Sequence, residues 1–122
     1  MVLGIGNDIL EIERVREAIA EQGDRFIQKL FTPKEQAYCS KYNDPLPHYA
    51  ARFSAKEAIV KALGTGFGEK ASFHDIEIIN NAQGKPEVFF SPALNKVFDN
   101  PQVLLSISHC KSYVATVAIR IK

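Results

Sequence analysis

The chain has 122 residues, enough for one domain with one core of ordinary size. With 46% hydrophobic and 24% charged residues it has the composition of a globular protein, which excludes disorder and collagen-like structure. Fifteen Lys and Arg against fourteen Asp and Glu leave a net charge of +1, so nothing in the bulk charge draws it to nucleic acid or anionic lipid. Any anionic ligand has to be held by a local cluster. The longest apolar stretches, such as Val88-Phe89-Phe90, are a few residues long, whereas a membrane span needs about 20. The N-terminus lacks the basic and apolar regions of a signal peptide, and a cytoplasmic location is the expectation. Cys39 and Cys110 are too few for a disulfide framework and read as two thiols.

Residues 1–10 read as a strand in which Gly4 and Gly6 mark places of close backbone approach, and which carries Asp8 at its end. From Glu11 to Gln22 the apolar Ile12, Val15 and Ile19 fall at helical spacing, with Gly23 placed to stop the helix. A short helical turn follows around Phe26, Ile27 and Leu30. Thr32-Pro33-Lys34-Glu35 combines an N-cap hydroxyl, a proline at the first helical position and a glutamate three residues after the cap. It predicts a helix running through Tyr38 to about Tyr42. Residues 43–47 are loop by composition. His48 to Leu63 runs without Gly or Pro and ends at Gly64, which makes it the longest helix.

The second half changes character. Phe73–Ile79 and Glu87–Phe90 read as strands of one hairpin, and Ser91-Pro92 caps a short helix to about Phe98. Val103–Ser108 and Tyr113–Ile121, separated by residues 109–112, form a second hairpin. There is no βαβ alternation, so the expectation is an α+β fold with helices of the N-terminal half packed on an antiparallel sheet, and a single domain over residues 1–122.

On a helical wheel Tyr49, Phe53, Val60 and Leu63 share an arc, and Glu57 falls about 40° from Phe53, at its edge. Lys61 is one turn further on, and an ordinary solvated i, i+4 pair explains Glu57 and Lys61 equally well at this stage. Asp8 alone reads as a strand end. His109, with Ser106, Ser108, Lys111 and Ser112 near it in the chain, is a set able to hold phosphate, although solvated turn residues look the same.

Three segments together point further. Gly4-Ile5-Gly6-Asn7-Asp8-Ile9, Arg52-Phe53-Ser54-Ala55-Lys56-Glu57-Ala58-Ile59-Val60-Lys61-Ala62 and Ser106-Ile107-Ser108-His109 resemble the signatures of the holo-acyl-carrier-protein synthases. These are the small 4′-phosphopantetheinyl transferases of fatty-acid synthesis. The resemblance runs over the whole chain, including Gly64-Thr65-Gly66 and Phe73-His74-Asp75-Ile76-Glu77-Ile78. It implies the 4′-phosphopantetheinyl transferase fold and transfer of the phosphopantetheine arm of coenzyme A to a serine of apo-acyl-carrier protein, releasing adenosine 3′,5′-bisphosphate.

The resemblance also implies site roles. Asp8 and Glu57 correspond to Mg²⁺ ligands, which agrees with two carboxylates plus substrate phosphate as a usual Mg²⁺ arrangement. Asp8, Glu57 and Lys61 are the expected catalytic residues. Arg52, Lys61, Gly64, His109 and Lys111 are expected around coenzyme A, whereas Lys56 falls inside the apolar arc. Attack on a pyrophosphate phosphorus needs a metal and cations, not a protein nucleophile, so the absence of a Ser/His/Asp arrangement is consistent. Either Glu57 or a water could take the serine proton. Arg14, Arg16, Arg25 and Lys29 correspond to residues that meet the acidic carrier protein, although Glu11, Glu13, Glu17, Glu21 and Asp24 share the region. Family members assemble as homotrimers with sites between subunits. A coenzyme A sensor without turnover and a small RNA-binding protein are the competing classes. The intact Asp8, Glu57 and Lys61 speak against the first, the missing basic stripe against the second.

Overall fold

The computed structural model describes residues 1–122. The chain runs β1 (Val2–Glu11), α1 (Ile12–Gln22), α2 (Asp24–Leu30), α3 (Pro33–Ser40), α4 (Leu46–Leu63), a 3₁₀ turn (Phe73–Asp75), β2 (Ile76–Asn80), β3 (Pro86–Phe90), α5 (Pro92–Phe98), β4 (Gln102–His109) and β5 (Tyr113–Ile121). The expected α+β arrangement is present. Its strands form two antiparallel units, a three-stranded sheet in the order β1-β5-β4 and the β2-β3 hairpin. No helix is long and apolar enough to cross a membrane.

The local signals are realised. Thr32 accepts from the Glu35 N–H while the Glu35 carboxylate accepts from the Thr32 N–H at 2.9 Å, closing the capping box that starts α3. Gly64 ends α4 with φ 81°, a left-handed conformation that glycine adopts without a Cβ clash. Three boundaries differ from expectation by more than one residue. Helix α3 stops at Ser40, short of Tyr42. Helix α4 starts at Leu46, because Pro47 falls in its first turn, where the missing N–H has no intrahelical partner to lose. Residues 73–75, expected as strand, form a 3₁₀ turn that Ser72 and Asp75 close by reciprocal bonds.

Helix α4 is the axis of the molecule. Its first half joins a core cluster with Val15, Phe26, Leu30 and Phe31, and its second half joins another with Ile76, Ile78, Leu94 and Ala118. The single apolar arc read from the wheel is therefore too narrow. Between Tyr49 and Leu63 only Phe53, Glu57 and Lys61 are not buried, and they form one stripe at i, i+4, i+8. The other faces are covered because Gly4 and Gly6 bring β1 onto the helix: a Cβ on Gly6 would overlap the carbonyl oxygen of Ala58, and one on Gly4 that of Ala62. Cys39 is buried, which pushes its thiol up to about 11, while Cys110 is exposed in the last hairpin turn; both are free.

Candidate active site

Alternation along β1 turns Asp8 toward α4, the same side as Gly4 and Gly6. The strand and the helix thus deliver Asp8, Glu57 and Lys61 to one place. Asp8 accepts from the buried Ser54 hydroxyl at 2.8 Å, and the Lys61 ammonium lies 3.4 Å from its other oxygen while donating to the Asn7 carbonyl at 2.9 Å. Lys61 therefore pairs with Asp8 across elements, not with Glu57 one turn away. Burial raises the Glu57 pKa, the negative charge of Asp8 raises it further, and Lys61 offsets part of this. Two carboxylates repelling each other beside an ammonium are a donor set that a small hard cation would relieve. No group of three or more His, Cys, Asp or Glu side chains is placed to hold a metal, so protein side chains alone cannot close a coordination shell.

A hollow of about 490 Å³ is lined by Asp8, Lys61 and Thr116, and a second, of about 390 Å³, by Tyr38, His48, Arg52, Asn80, Ser106 and His109. Arg52 is only 3% exposed. It donates to the Ile78 carbonyl at 3.2 Å and to Asn80 Oδ1 at 2.8 Å, with its guanidinium 4.1 Å from the centre of the Tyr38 ring. His48 stacks on Tyr42, and burial first, then the charges of Arg52 and His109, hold its pKa below the usual histidine value. The second hollow is therefore electropositive and aromatic-edged, suited to an anion carried on a planar group.

Of the residues expected from the sequence, Asp8 and Lys61 line the first hollow, Glu57 lies one turn before Lys61 on the same helix stripe, and Arg52 and His109 line the second. Gly64 ends the exposed stripe of α4, and Lys111 is exposed in the turn after His109. Lys56 does neither. Its ammonium is wholly buried, 2.7 Å from Glu35 Oε1, and also donates to the carbonyls of Leu30 and Phe73. Glu35 accepts in addition from the Ile78 N–H, so the pair knits α2, α3, α4 and β2 together. The sequence reading passed over Tyr38, His48 and Asn80, whose only signal was polar or aromatic character next to loops. It also passed over Ser54 and Thr116, hydroxyls at positions where burial favours apolar side chains. On α1, Arg14 pairs with Glu11 and Arg16 with Glu13, so its acidic residues partly cancel the basic ones proposed for docking.

Comparison with known proteins places the whole chain in one family. Residues 4–118 match the 4′-phosphopantetheinyl transferase superfamily family called ACPS. The chain is 52% identical over 119 residues to the holo-[acyl-carrier-protein] synthase of Protochlamydia amoebophila, covering 98% of both chains. The crystal structure of the Neisseria meningitidis holo-[acyl-carrier-protein] synthase superposes with a TM-score of 0.94 at 36% identity, covering 100% of both chains. The Helicobacter pylori enzyme in complex with coenzyme A gives 0.85 at 30% identity, covering 96% of this chain and 99% of that one. The chain belongs to the holo-acyl-carrier-protein synthase family of the 4′-phosphopantetheinyl transferases.

Proposed function

We propose that the two hollows are the two halves of one transfer site, completed between copies of this chain. The activity itself goes with the family: the chain is an enzyme that transfers phosphopantetheine from coenzyme A to apo-acyl-carrier protein and produces holo-acyl-carrier protein, as in fatty acid biosynthesis. The observation that carries the site assignment is that Asp8 of β1 accepts from Ser54 and pairs with Lys61 of α4, one turn beyond Glu57 on the open stripe of that helix.

Asp8 and Glu57 would hold Mg²⁺, an ion that keeps several waters and takes substrate phosphate oxygens as further ligands. When bound it supplies positive charge at the pyrophosphate, where negative charge builds as the bond to the departing phosphate breaks. Lys61 extends from the same stripe and adds a second cation to that charge. Arg52, with its planar guanidinium braced on Tyr38 and Asn80, and His109 with Lys111 beside it, hold the phosphates of coenzyme A from the other hollow. Arg52 and Lys61 are already oriented by their partners Ile78, Asn80, Asn7 and Asp8.

Assembly as a homotrimer completes the site. The face of the three-stranded sheet turned away from α4 is apolar and open, with Ile5 67%, Ile9 72% and Leu104 52% exposed. A patch of this kind marks an interface. The hollow holding Asp8 and the hollow holding His109 share no lining residue, so joining subunits through that face supports a site in which Glu57 of one copy faces His109 of the next. Within each copy α4 runs through both core clusters, which supports reading residues 1–122 as one domain. Incubation with coenzyme A, Mg²⁺ and apo-acyl-carrier protein tests the whole reading. The acceptor should gain the mass of a phosphopantetheine group, and an unmodified acceptor would overturn it.

A further inference from the structure

Behind Asp8 lies a hydroxyl pair, Ser54 and Thr116, to which the family resemblance assigns no role. Ser54 is fully buried on α4 and donates to Asp8 Oδ2 at 2.8 Å. Thr116, buried on β5, donates to the Ser54 carbonyl oxygen at 3.1 Å, and its Oγ1 lies 3.0 Å from Ser54 Oγ. A serine inside a helix ordinarily turns its proton back to a carbonyl of the preceding turn. Here the single proton of Thr116 goes to the Ser54 carbonyl oxygen, while the Asp8 carboxylate beside Ser54 Oγ can accept. The proton of Ser54 is then left for Asp8. The result is a hydrogen-bonded line from β5 through α4 to β1, ending on one oxygen of a carboxylate.

We propose that Ser54, backed by Thr116, is a positioning residue that fixes the Asp8 carboxylate, engaging Oδ2 so that Oδ1, the oxygen 3.4 Å from the Lys61 ammonium, would be the one shared with the metal. This rests on the reading of Asp8 as a metal ligand. The terminal torsion of an aspartate is broad, so an unheld carboxylate spreads over orientations of which one suits the ion. A hydroxyl donating to an ionised carboxylate makes one of the stronger hydrogen bonds, and a donor without water access cannot trade it for solvent. Tying α4 to β5 requires only the Thr116 bond to the Ser54 carbonyl. The bond to Asp8 adds nothing to that tie, and its direction is set toward the site.

The test is binding of Mn²⁺, followed by the loss of free-ion electron paramagnetic resonance signal, to the whole protein with coenzyme A present. Circular dichroism confirms folding. Ser54→Ala should weaken Mn²⁺ binding about tenfold, the lower end of what loss of a ligand's supporting hydrogen bond costs in metal sites. It should raise the Mg²⁺ concentration for half-maximal rate by a similar factor. Thr116→Val, which removes the hydroxyl at nearly constant shape, should shift the affinity in the same direction by less, and Thr116→Ser should restore it. Asp8→Asn is the reference and should lose most Mn²⁺ binding. Parental affinity in a folded Ser54→Ala, with Asp8→Asn defective, would overturn the positioning role and leave Asp8 a ligand. Parental affinity in Asp8→Asn would overturn the metal reading itself. Should Ser54→Ala not fold, the Thr116→Val and Thr116→Ser pair decides, and unchanged Mn²⁺ affinity in Thr116→Val overturns the proposal.

Discussion

Glu57 and Lys56 are adjacent in sequence and opposite in role. Glu57 sits on the open stripe of α4 under the influence of Asp8, and Lys56 is sealed inside the core against Glu35. Glu57→Gln keeps volume and helix while removing one ligand charge. Its transfer rate should fall by roughly 10² or more, since several kcal/mol of transition-state stabilisation depend on the ion. Excess Mg²⁺ or Mn²⁺ should recover part of the loss. Initial rates against metal concentration check this: a Gln variant within a fewfold of the parent at limiting Mg²⁺ would make Glu57 an ordinary surface charge. Lys56→Met should behave differently. It leaves the buried Glu35 carboxylate without its counter-charge, a change that costs about 3–5 kcal/mol in comparable buried pairs. Urea unfolding should show that loss, and an unfolding midpoint equal to the parent's would contradict the role given to the pair.

At the level of elements, the contact of β1 with α4 controls the site. Asp8 lies two residues beyond Gly6, and Gly6 is where the strand lies hard against the helix backbone. A methyl at Gly6 meets the Ala58 carbonyl oxygen, with Ala62 N at 2.7 Å and Lys61 Cβ at 2.8 Å, and backbone atoms of a buried helix have little room to yield. Gly6→Ala should therefore push the strand outward, at a cost of about 1–3 kcal/mol or more, as overpacking does in tight interiors. Asp8 would move with the strand relative to Lys61 and Ser54. The expected outcome is a lowered melting temperature together with a rate per folded molecule reduced at least tenfold, because small displacements of positioned groups are costly in catalysis. A melting temperature and rate equal to the parent's would show that the strand does not need the glycine.

For the molecule as a whole, the assembly proposed through the open sheet face predicts that a single copy cannot work. Ile9 is 72% exposed in the lone chain, so replacing it by lysine should leave the fold of that chain nearly untouched. In an assembled trimer the same lysine would be buried without a partner, which is strongly unfavourable. Light scattering should find the parent as a trimer and Ile9→Lys as a monomer, with activity lost in step. A monomeric variant retaining full activity would refute a site shared between subunits. The small net charge is in keeping with association through apolar surface, since the self-repulsion of like copies is slight.

Much of this protein is written locally. The capping box at Thr32 and Glu35, the stop at Gly64, the proline-started α5 and the two hairpins all depend on residues within a few positions of one another, so the sequence alone determined them. The boundary errors at Leu46 and Phe73 arose where proline and turn chemistry compete with composition over the same few residues. The segments carrying Asp8, Glu57, Lys61 and His109 stood out only together, through their resemblance to one family, because each of these residues alone reads as an ordinary strand end, surface pair or turn. Tertiary structure decided what periodicity cannot express. The wheel placed Phe53 and Lys56 inside the core arc and Glu57 at its edge, but a helix covered on nearly every side leaves one narrow stripe open, and Phe53, Glu57 and Lys61 are on it while Lys56 is buried. Ser54 reaches Asp8 across 46 positions and Thr116 across 62, separations at which no local spacing rule operates. The Ser54 bond to Asp8 forms where the glycines of β1 let strand and helix backbones come together, a distance that only the packed chain defines.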